Sequence, residues 1–268
     1  MAAESLFLGV ALVTGAASGI GAATAKGFAD AGCNRIAITD INEGLLQQTK
    51  EKIIQDHPTV IVHAVAGDIA DPSFAPSFVT STVEEFRRLD YCVNCAGIMG
   101  NNWFSTATSI EDFDRINNIN YRGCWLTSRA ELTAMTNQGR LLSHEAGRPP
   151  PRGSIVNIAS QLGIVGRPNT PVYSASKAAV IAMTRADAID YSPHGIRVNC
   201  ICPGVIETPM TTGPGRQIEI SASVINIAPM RRMGKPSEVA DCAIFLSSTK
   251  ASFVQGHAMV VDGGYIIN

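Results

Sequence analysis

The chain has 268 residues, of which 46% are hydrophobic and 16% charged, and its formal net charge is -2. This length suits one α/β domain over residues 1–268, and the apolar content excludes a disordered chain. No long run of Lys or Arg occurs, so we expect neither nucleic acid nor an anionic membrane surface as a partner.

The first 15 residues contain no basic segment before their apolar stretch, and no run of about 18 apolar residues occurs. We therefore expect a cytoplasmic protein without a signal peptide or a membrane span. The seven cysteines are scattered, and we interpret them as reduced thiols, including Cys92 and Cys95 at C-x-x-C spacing. The five histidines match no metal-ligand spacing, so no metal site is predicted.

Short β-branched runs alternate along the chain with longer stretches of helical spacing. The predicted strands cover residues 11–14, 35–39, 60–66, 91–94, 154–159, 197–201 and 258–261. The predicted helices cover residues 19–31, 42–55, 73–88, 110–135, 172–191 and 236–246. Because the strands are almost continuously apolar and alternate with helices, we predict a doubly wound parallel sheet of about seven strands with helices on both faces.

Two segments have no regular pattern. Residues 137–153 are polar and rich in proline, and three successive prolines exclude a helix there, so we expect a surface loop. Residues 207–228 are rich in Thr, Gly and Pro near their start, and we expect a lid or binding loop.

A glycine-rich sequence, T-G-A-A-S-G-I-G at residues 14–21, joins the first predicted strand to the first predicted helix. A glycine can make the tight turn, and further glycines let the backbone approach a pyrophosphate beside the helix N-terminus. This strand–loop–helix context is what a dinucleotide-binding loop requires. The candidate cofactor-binding residues here are Gly15, Ser18, Gly19, Ile20 and Gly21.

Asp40 ends the second predicted strand, about twenty residues after the glycine loop, and Ile41 follows it. A carboxylate at this position can accept hydrogen bonds from the adenosine ribose and would repel a 2′-phosphate. No Arg or Lys stands beside Ser18 to bind that phosphate. The sequence therefore favours NAD over NADP. The alternative is that Asp40 is only a turn residue and does not bind the cofactor.

Tyr173 and Lys177 are four residues apart in a predicted helix, so their side chains lie on one face. The tyrosine phenol has an ordinary pKa of about 10 and is a poor base at neutral pH. A neighbouring ammonium lowers that pKa. The pair is therefore typical of an acid–base catalyst.

The chain resembles the single-domain short-chain dehydrogenases/reductases over nearly its whole length. The motifs that carry the resemblance appear in order: the glycine loop, G-D-I at 67–69, N-C-A-G at 94–97, N-I-N with Asn120, I-V-N-I-A-S ending at Ser160, Y-S-A-S-K at 173–177, P-G at 203–204 and D-G-G at 262–264. Cys95 departs from the family pattern, which often has Asn there. The resemblance implies a Rossmann fold.

The same resemblance implies four catalytic residues. Tyr173 takes or gives the hydroxyl proton, and Lys177 lowers its pKa and binds the nicotinamide ribose. Ser160 holds the substrate oxygen, and Asn120 holds a water of a proton relay. Further cofactor contacts are expected at the ends of the strands, from Asp68, Ile69, Asn94, Ala96, Gly97, Pro203, Gly204, Val205, Ile206 and Thr208.

The substrate pocket is expected beside these residues, lined by Ile98, Met99, Trp103, Gln161 and Leu162, with residues 208–228 as a lid. Its charged residues would be Glu207, Arg216 and Glu219. We therefore expect a neutral or lipophilic secondary alcohol or ketone as the substrate, and we favour a specialised-metabolite alcohol. The family resemblance and the apolar C-terminal run imply a homotetramer, with a dimer as the alternative.

Two other functions are kept as alternatives. One is an NADPH-dependent carbonyl reductase that works in the opposite direction. The other is a non-catalytic dinucleotide-binding sensor or scaffold, because a fold alone does not fix a function.

Overall fold

A seven-stranded parallel sheet forms the centre of the protein, for which a computed structural model describes residues 6–101, 103–141, 147–213 and 222–267. The strand order is β3-β2-β1-β4-β5-β6-β7, and each neighbouring pair is parallel. The strands are β1 (Ala11–Thr14), β2 (Arg35–Asp40), β3 (Ile61–Ala66), β4 (Tyr91–Asn94), β5 (Gly153–Ile158), β6 (Ile196–Pro203) and β7 (Ala258–Val261). The predicted α/β fold is confirmed.

Helices cover both faces of this sheet. They are α1 (Gly19–Asp30), α2 (Glu43–Asp56), α3 (Phe74–Phe86), α4 (Ile110–Asn117), α5 (Cys124–Thr136), α6 (Pro171–Tyr191), α7 (Pro209–Thr212), α8 (Ala222–Ile225) and α9 (Pro236–Ser247). One apolar cluster joins the sheet to α1, α2 and α9, and a second joins it to α3, α5 and α6. Burial on both faces explains why the strands are nearly continuous apolar runs.

The predicted helix over residues 110–135 is interrupted. Between α4 and α5 lies a π-helical turn, Asn118–Gly123, which contains the buried Asn120. Apolar spacing indicates a helix but does not distinguish an α turn from a π turn, so the sequence pattern missed it. Such turns are frequent at functional sites.

The segment over residues 207–228 also differs from its predicted irregular form, because α7 and α8 are helical. Thr208 precedes Pro209, and its N–H donates to the Thr211 hydroxyl (3.0 Å), which satisfies a backbone group at the start of α7. Arg216 and Glu219 lie outside the described residues.

The proline-rich segment at 137–153 folds back at the amino ends of the strands, in its described parts. The N–H of Leu141 donates to the Pro151 carbonyl (2.7 Å), and Arg148 Nη1 donates to the Thr249 carbonyl and to Ser252 Oγ (both 2.8 Å). This insertion therefore lies at the edge of the sheet opposite to the predicted motifs. In the described part of the chain, no helix is both long and apolar enough for a membrane span.

Candidate active site

A cavity of about 280 Å³ opens at the carboxyl ends of the strands, where doubly wound sheets bind ligands. It brings together the connections that follow β1 to β6. The predicted cofactor and catalytic residues in its wall are Gly15, Ser18, Gly19, Ile20, Gly21, Asp40, Ile41, Asp68, Ile69, Ala96, Gly97, Ser160, Tyr173, Lys177, Pro203, Gly204, Val205, Ile206 and Thr208. The predicted substrate residues in the wall are Ile98, Met99, Gln161 and Leu162.

Three predicted site residues are not part of this wall. Trp103 is 53% exposed and lies outside it. Asn94 is buried below the cavity, where its Nδ2 donates to Glu131 Oε2 and to Asn157 Oδ1 (both 3.0 Å). It therefore ties β4 to α5 and β5. Asn120 lies directly behind the wall.

The glycine loop has the shape that a pyrophosphate requires. Gly15 and Gly19 have φ of 66° and 53°, in the left-handed region that favours glycine. A Cβ on Gly21 would lie 2.1 Å from the Gly15 carbonyl oxygen, so no larger residue fits there. Helix α1 begins at Gly19 and directs its first N–H groups towards the cavity end of the sheet. These residues fit a bound dinucleotide.

Asp40 closes the end of the cavity that lies over β2 and β3. Its Oδ2 accepts from the Ala17 N–H (3.1 Å) and its Oδ1 from the Asn42 N–H (2.9 Å), which ties the carboxylate to the glycine loop. Asp68, after β3, adds a second carboxylate to this end. The only cations in the described lining are Lys177 and Arg167, and both follow β5 in the chain. Strand β5 is three strand spacings from β2, a distance of about 14 Å. The described lining at this end of the cavity therefore carries two carboxylates and no cation.

Tyr173, Lys177 and Ser160 meet at the other end of the cavity, and all three are buried. Burial raises the pKa of the Tyr173 phenol, and a hydrogen bond with Ser160 opposes this shift. Burial also lowers the pKa of Lys177, whose Nζ donates to the Ile158 carbonyl (2.8 Å).

The pKa of Tyr173 thus shifts opposite to the expected direction. The reason is that burial disfavours the phenolate more than the surrounding groups of the chain favour it, and Lys177 is bound to a backbone carbonyl. A positive charge brought to the cavity would favour the phenolate and lower this pKa.

Asn120 fixes the backbone on which the site is built. Its Nδ2 donates to the Ile98 carbonyl and its Oδ1 accepts from the Ile98 N–H (both 2.8 Å). A Cβ on Gly97 would lie 3.1 Å from Asn120 Oδ1 and 3.3 Å from Lys177 Nζ, so both polar atoms flank this glycine. The π turn places Asn120 in this position, while its role in a proton relay stays a prediction.

Several wall residues were not predicted from the sequence, and Arg167 is the most consequential of them. Arg167 lies between Ser160 and Tyr173 in the chain, in the connection from β5 to α6, and its side chain is partly buried. That connection links two predicted catalytic residues. The position of Arg167 between them was the feature of the sequence that could have indicated its place in the cavity wall. Met210 and Thr211 of α7 also line the wall, whereas Glu207 is exposed and outside it.

A parallel doubly wound sheet with a glycine loop and a cavity at its carboxyl edge is the architecture of a dinucleotide-binding protein. A family model described as "Enoyl-(Acyl carrier protein) reductase" matches residues 15–266. The chain belongs to the short-chain dehydrogenase/reductase family, whose members use NAD or NADP.

Relatives of known name are similar over nearly the whole chain. A 2-(R)-hydroxypropyl-CoM dehydrogenase of Xanthobacter autotrophicus is 37% identical, with 96% of this chain and 98% of the relative covered. The short-chain dehydrogenase fogB of Aspergillus ruber is 36% identical, with 96% of each chain covered. A solved structure of levodione reductase superposes with a TM-score of 0.86 at 32% identity, with 96% of each chain covered.

Proposed function

We propose that this oxidoreductase interconverts a secondary alcohol and its ketone with NAD as the cofactor. The observation that carries the proposal is the meeting of Ser160, Tyr173 and Lys177 in the cavity that also contains the glycine loop. Two relatives, a 2-(R)-hydroxypropyl-CoM dehydrogenase and a levodione reductase, are named for reactions of this class, which supports the proposal.

The chain supplies the proton transfer and the orientation of the reacting oxygen. When bound, the nicotinamide cofactor accepts or donates the hydride. Ser160 donates a hydrogen bond to the substrate oxygen, and Tyr173 gives its proton to that oxygen in reduction or takes the hydroxyl proton in oxidation. Because burial raises the pKa of Tyr173, its phenol is neutral and ready to donate in the reductive direction.

Asp40 supports NAD in preference to NADP. Its carboxylate lies in the cavity wall, and among the described lining residues no Lys or Arg follows β2 or β3. A 2′-phosphate there would meet the charges of Asp40 and Asp68 without a cation to balance it. An NADPH-dependent carbonyl reductase is therefore the second candidate, and a non-catalytic binding protein is the third.

The test is a panel of secondary alcohols and ketones assayed at the nicotinamide absorbance, with Tyr173→Phe beside the unchanged chain. Since the phenol carries the proton, we expect the substitution to lower kcat by about 10²- to 10⁴-fold. The Kd for NAD should stay the same, because the substitution removes only a hydroxyl.

Titration with NAD and with NADP separates the candidates in the same experiment. Tighter binding of NADP would overturn the assignment of Asp40. Undiminished turnover by Tyr173→Phe would overturn the proposed mechanism, and binding of dinucleotide without turnover of any alcohol or ketone would favour the sensor or scaffold.

A further inference from the structure

Arg167 lies in the cavity wall, and its guanidinium has no partner among the residues that the structure describes. It makes no hydrogen bond and no ion pair with any residue that the structure describes; only its backbone carbonyl is engaged, as the acceptor for Thr170 Oγ1 (2.9 Å). Its partial burial removes some of the water that an exposed arginine would have. An arginine fork of this kind matches the two oxygens of a carboxylate.

A second polar side chain in the same wall also lacks a partner. Gln161 is only 4% exposed, and its Oε1 is buried without a hydrogen-bond partner among the described residues. A Cβ on Gly204 would lie 3.1 Å from this oxygen, which places the amide against the end of β6. Buried polar groups are normally hydrogen-bonded, so an unpartnered amide next to Ser160 points to a ligand.

The charges in the described wall are separated along the sheet. The carboxylates Asp40 and Asp68 lie at the ends of β2 and β3, whereas Lys177 and Arg167 follow β5. Lys177 is held by the Ile158 carbonyl, which leaves Arg167 as the free cation of the described lining. The glycine loop follows β1, whereas Arg167 follows β5, and these strands are two strand spacings or about 10 Å apart. Arg167 is therefore remote from the expected position of the pyrophosphate.

We propose that the substrate carries a carboxylate, in addition to its secondary hydroxyl or keto group, and that Arg167 binds this carboxylate while Gln161 hydrogen-bonds the polar part of the substrate. The inference rests on the proposed function and narrows it to hydroxy acids and keto acids. Met99, Leu162 and Met210 line the same wall and contact the carbon skeleton. This proposal differs from the expectation of a neutral substrate, which did not take Arg167 into account.

The test uses a series of hydroxy acids from 3-hydroxybutanoate to 9-hydroxydecanoate, with the hydroxyl on the carbon before the methyl group. Each acid is assayed beside its methyl ester, which keeps the skeleton and removes the charge. The variants are Arg167→Met, Arg167→Lys and, as the matched control, Arg185→Met on the exposed face of α6. Because Arg167 has no partner in the described chain, its replacement leaves no group unpaired and the variants should fold.

The unchanged chain should turn over at least one acid with a higher kcat/KM than its ester. Arg167→Met should lower kcat/KM for that acid on the order of 10- to 100-fold, with the ester changed by less than about twofold, since a charge-assisted hydrogen bond is lost only with the acid. Arg167→Lys should retain part of the preference, because it keeps the charge without the fork. Arg185→Met should behave like the unchanged chain.

A binding measurement separates this inference from the proposed function. Calorimetry on NAD-loaded Tyr173→Phe protein should show tighter binding of the acid than of the ester, and the difference should vanish with Arg167→Met. Acids that bind through Arg167 without turnover would overturn the proposed function and leave this inference standing. Esters used as well as acids throughout the series, or equal losses for both with Arg167→Met, would overturn the inference alone.

Discussion

Burial moves the pKa values of Tyr173 and Lys177 in opposite directions, upward for the phenol and downward for the ammonium. Both shifts favour the neutral forms, as expected where water is removed from an ionisable group. In the proposed reaction, the neutral phenol donates a proton to the ketone oxygen, and oxidation of the alcohol is favoured by a positive charge near Tyr173 that stabilises the phenolate. The positively charged oxidised cofactor would supply that charge.

Glu131 is another buried ionisable residue, and it lies below the cavity. Burial raises its pKa to about 7, and the hydrogen bonds from Asn94 and Cys92 oppose the shift. Because the folded-state pKa lies above the ordinary value of 4.5, the stability it contributes is complete below about pH 4.5 and is lost as the pH rises through about 7. The folded protein should therefore be destabilised by ionisation of this residue.

Glu131→Gln removes the ionisation and keeps an oxygen for Asn94. We expect the free energy of unfolding of the unchanged chain to fall by roughly 2–3 kcal/mol between pH 4.5 and pH 8 through this group, and the variant to lack that part of the fall. Urea unfolding at both pH values measures it, with Glu84→Gln on the exposed face of α3 as the control. Identical pH dependence in Glu131→Gln and the unchanged chain would contradict the prediction.

At the scale of elements, the glycine loop and α1 depend on close backbone approach. Gly21→Ala would place a Cβ 2.1 Å from the Gly15 carbonyl oxygen, a backbone atom that cannot move without the loop. We expect NAD affinity to fall by more than about tenfold, because the loop that holds the pyrophosphate must shift. Fluorescence titration with NAD gives the Kd.

The matched control for this substitution is Gly27→Ala, farther along α1. Its Cβ would meet only the flexible side chain of Ile244, at 3.3 Å, and the gain in helix propensity is the same. Equal loss of NAD affinity in both variants would show that the effect belongs to the helix and not to the loop.

The sequence predicted the elements well where residue type and backbone geometry are coupled. The strands β1, β4 and β7 match their predicted bounds, because each is an apolar run that ends at a turn or loop. Glycine spacing likewise predicted the loop after β1. The π turn left no such signal, since its hydrogen-bond pattern needs no special residue. Arg167 was missed because a charged residue in a polar connection looks the same whether it faces solvent or a cavity.

At the scale of the whole molecule, the two edges of the sheet differ. The carboxyl edge holds the candidate active site. The amino edge is covered by the described parts of the insertion, over a cavity of about 460 Å³. Four buried polar atoms without partners belong to residues in its wall: Arg152 Nε, Arg197 Nη1, Ser247 Oγ and Thr249 Oγ1. These four atoms find no partner among the described residues, so the contacts that the insertion makes at this edge should matter for stability.

Arg148→Ala tests the insertion. The substitution removes the hydrogen bonds to Thr249 and Ser252. Since each lost hydrogen bond costs about 1 kcal/mol, the loss of both costs about 2 kcal/mol, and we expect the Tm to fall by about 4–8 °C. Thermal unfolding measures it, with Arg185→Ala as the control. The value of kcat should not change, because the active site lies at the other edge, and a lower kcat at an unchanged Tm would contradict this separation.

The π turn at Asn118–Gly123 has one further consequence. It contains an extra residue relative to a regular α-helix, so α4 and α5 are offset in rotational phase by one residue. A deletion of a single residue there would let the two helices merge into one straight rod. The Asn120 side chain would then rotate away from Ile98, although residue 120 itself was not substituted. The contact of Asn120 with the Ile98 backbone therefore depends on the spacing of the chain around this asparagine as much as on the side chain itself.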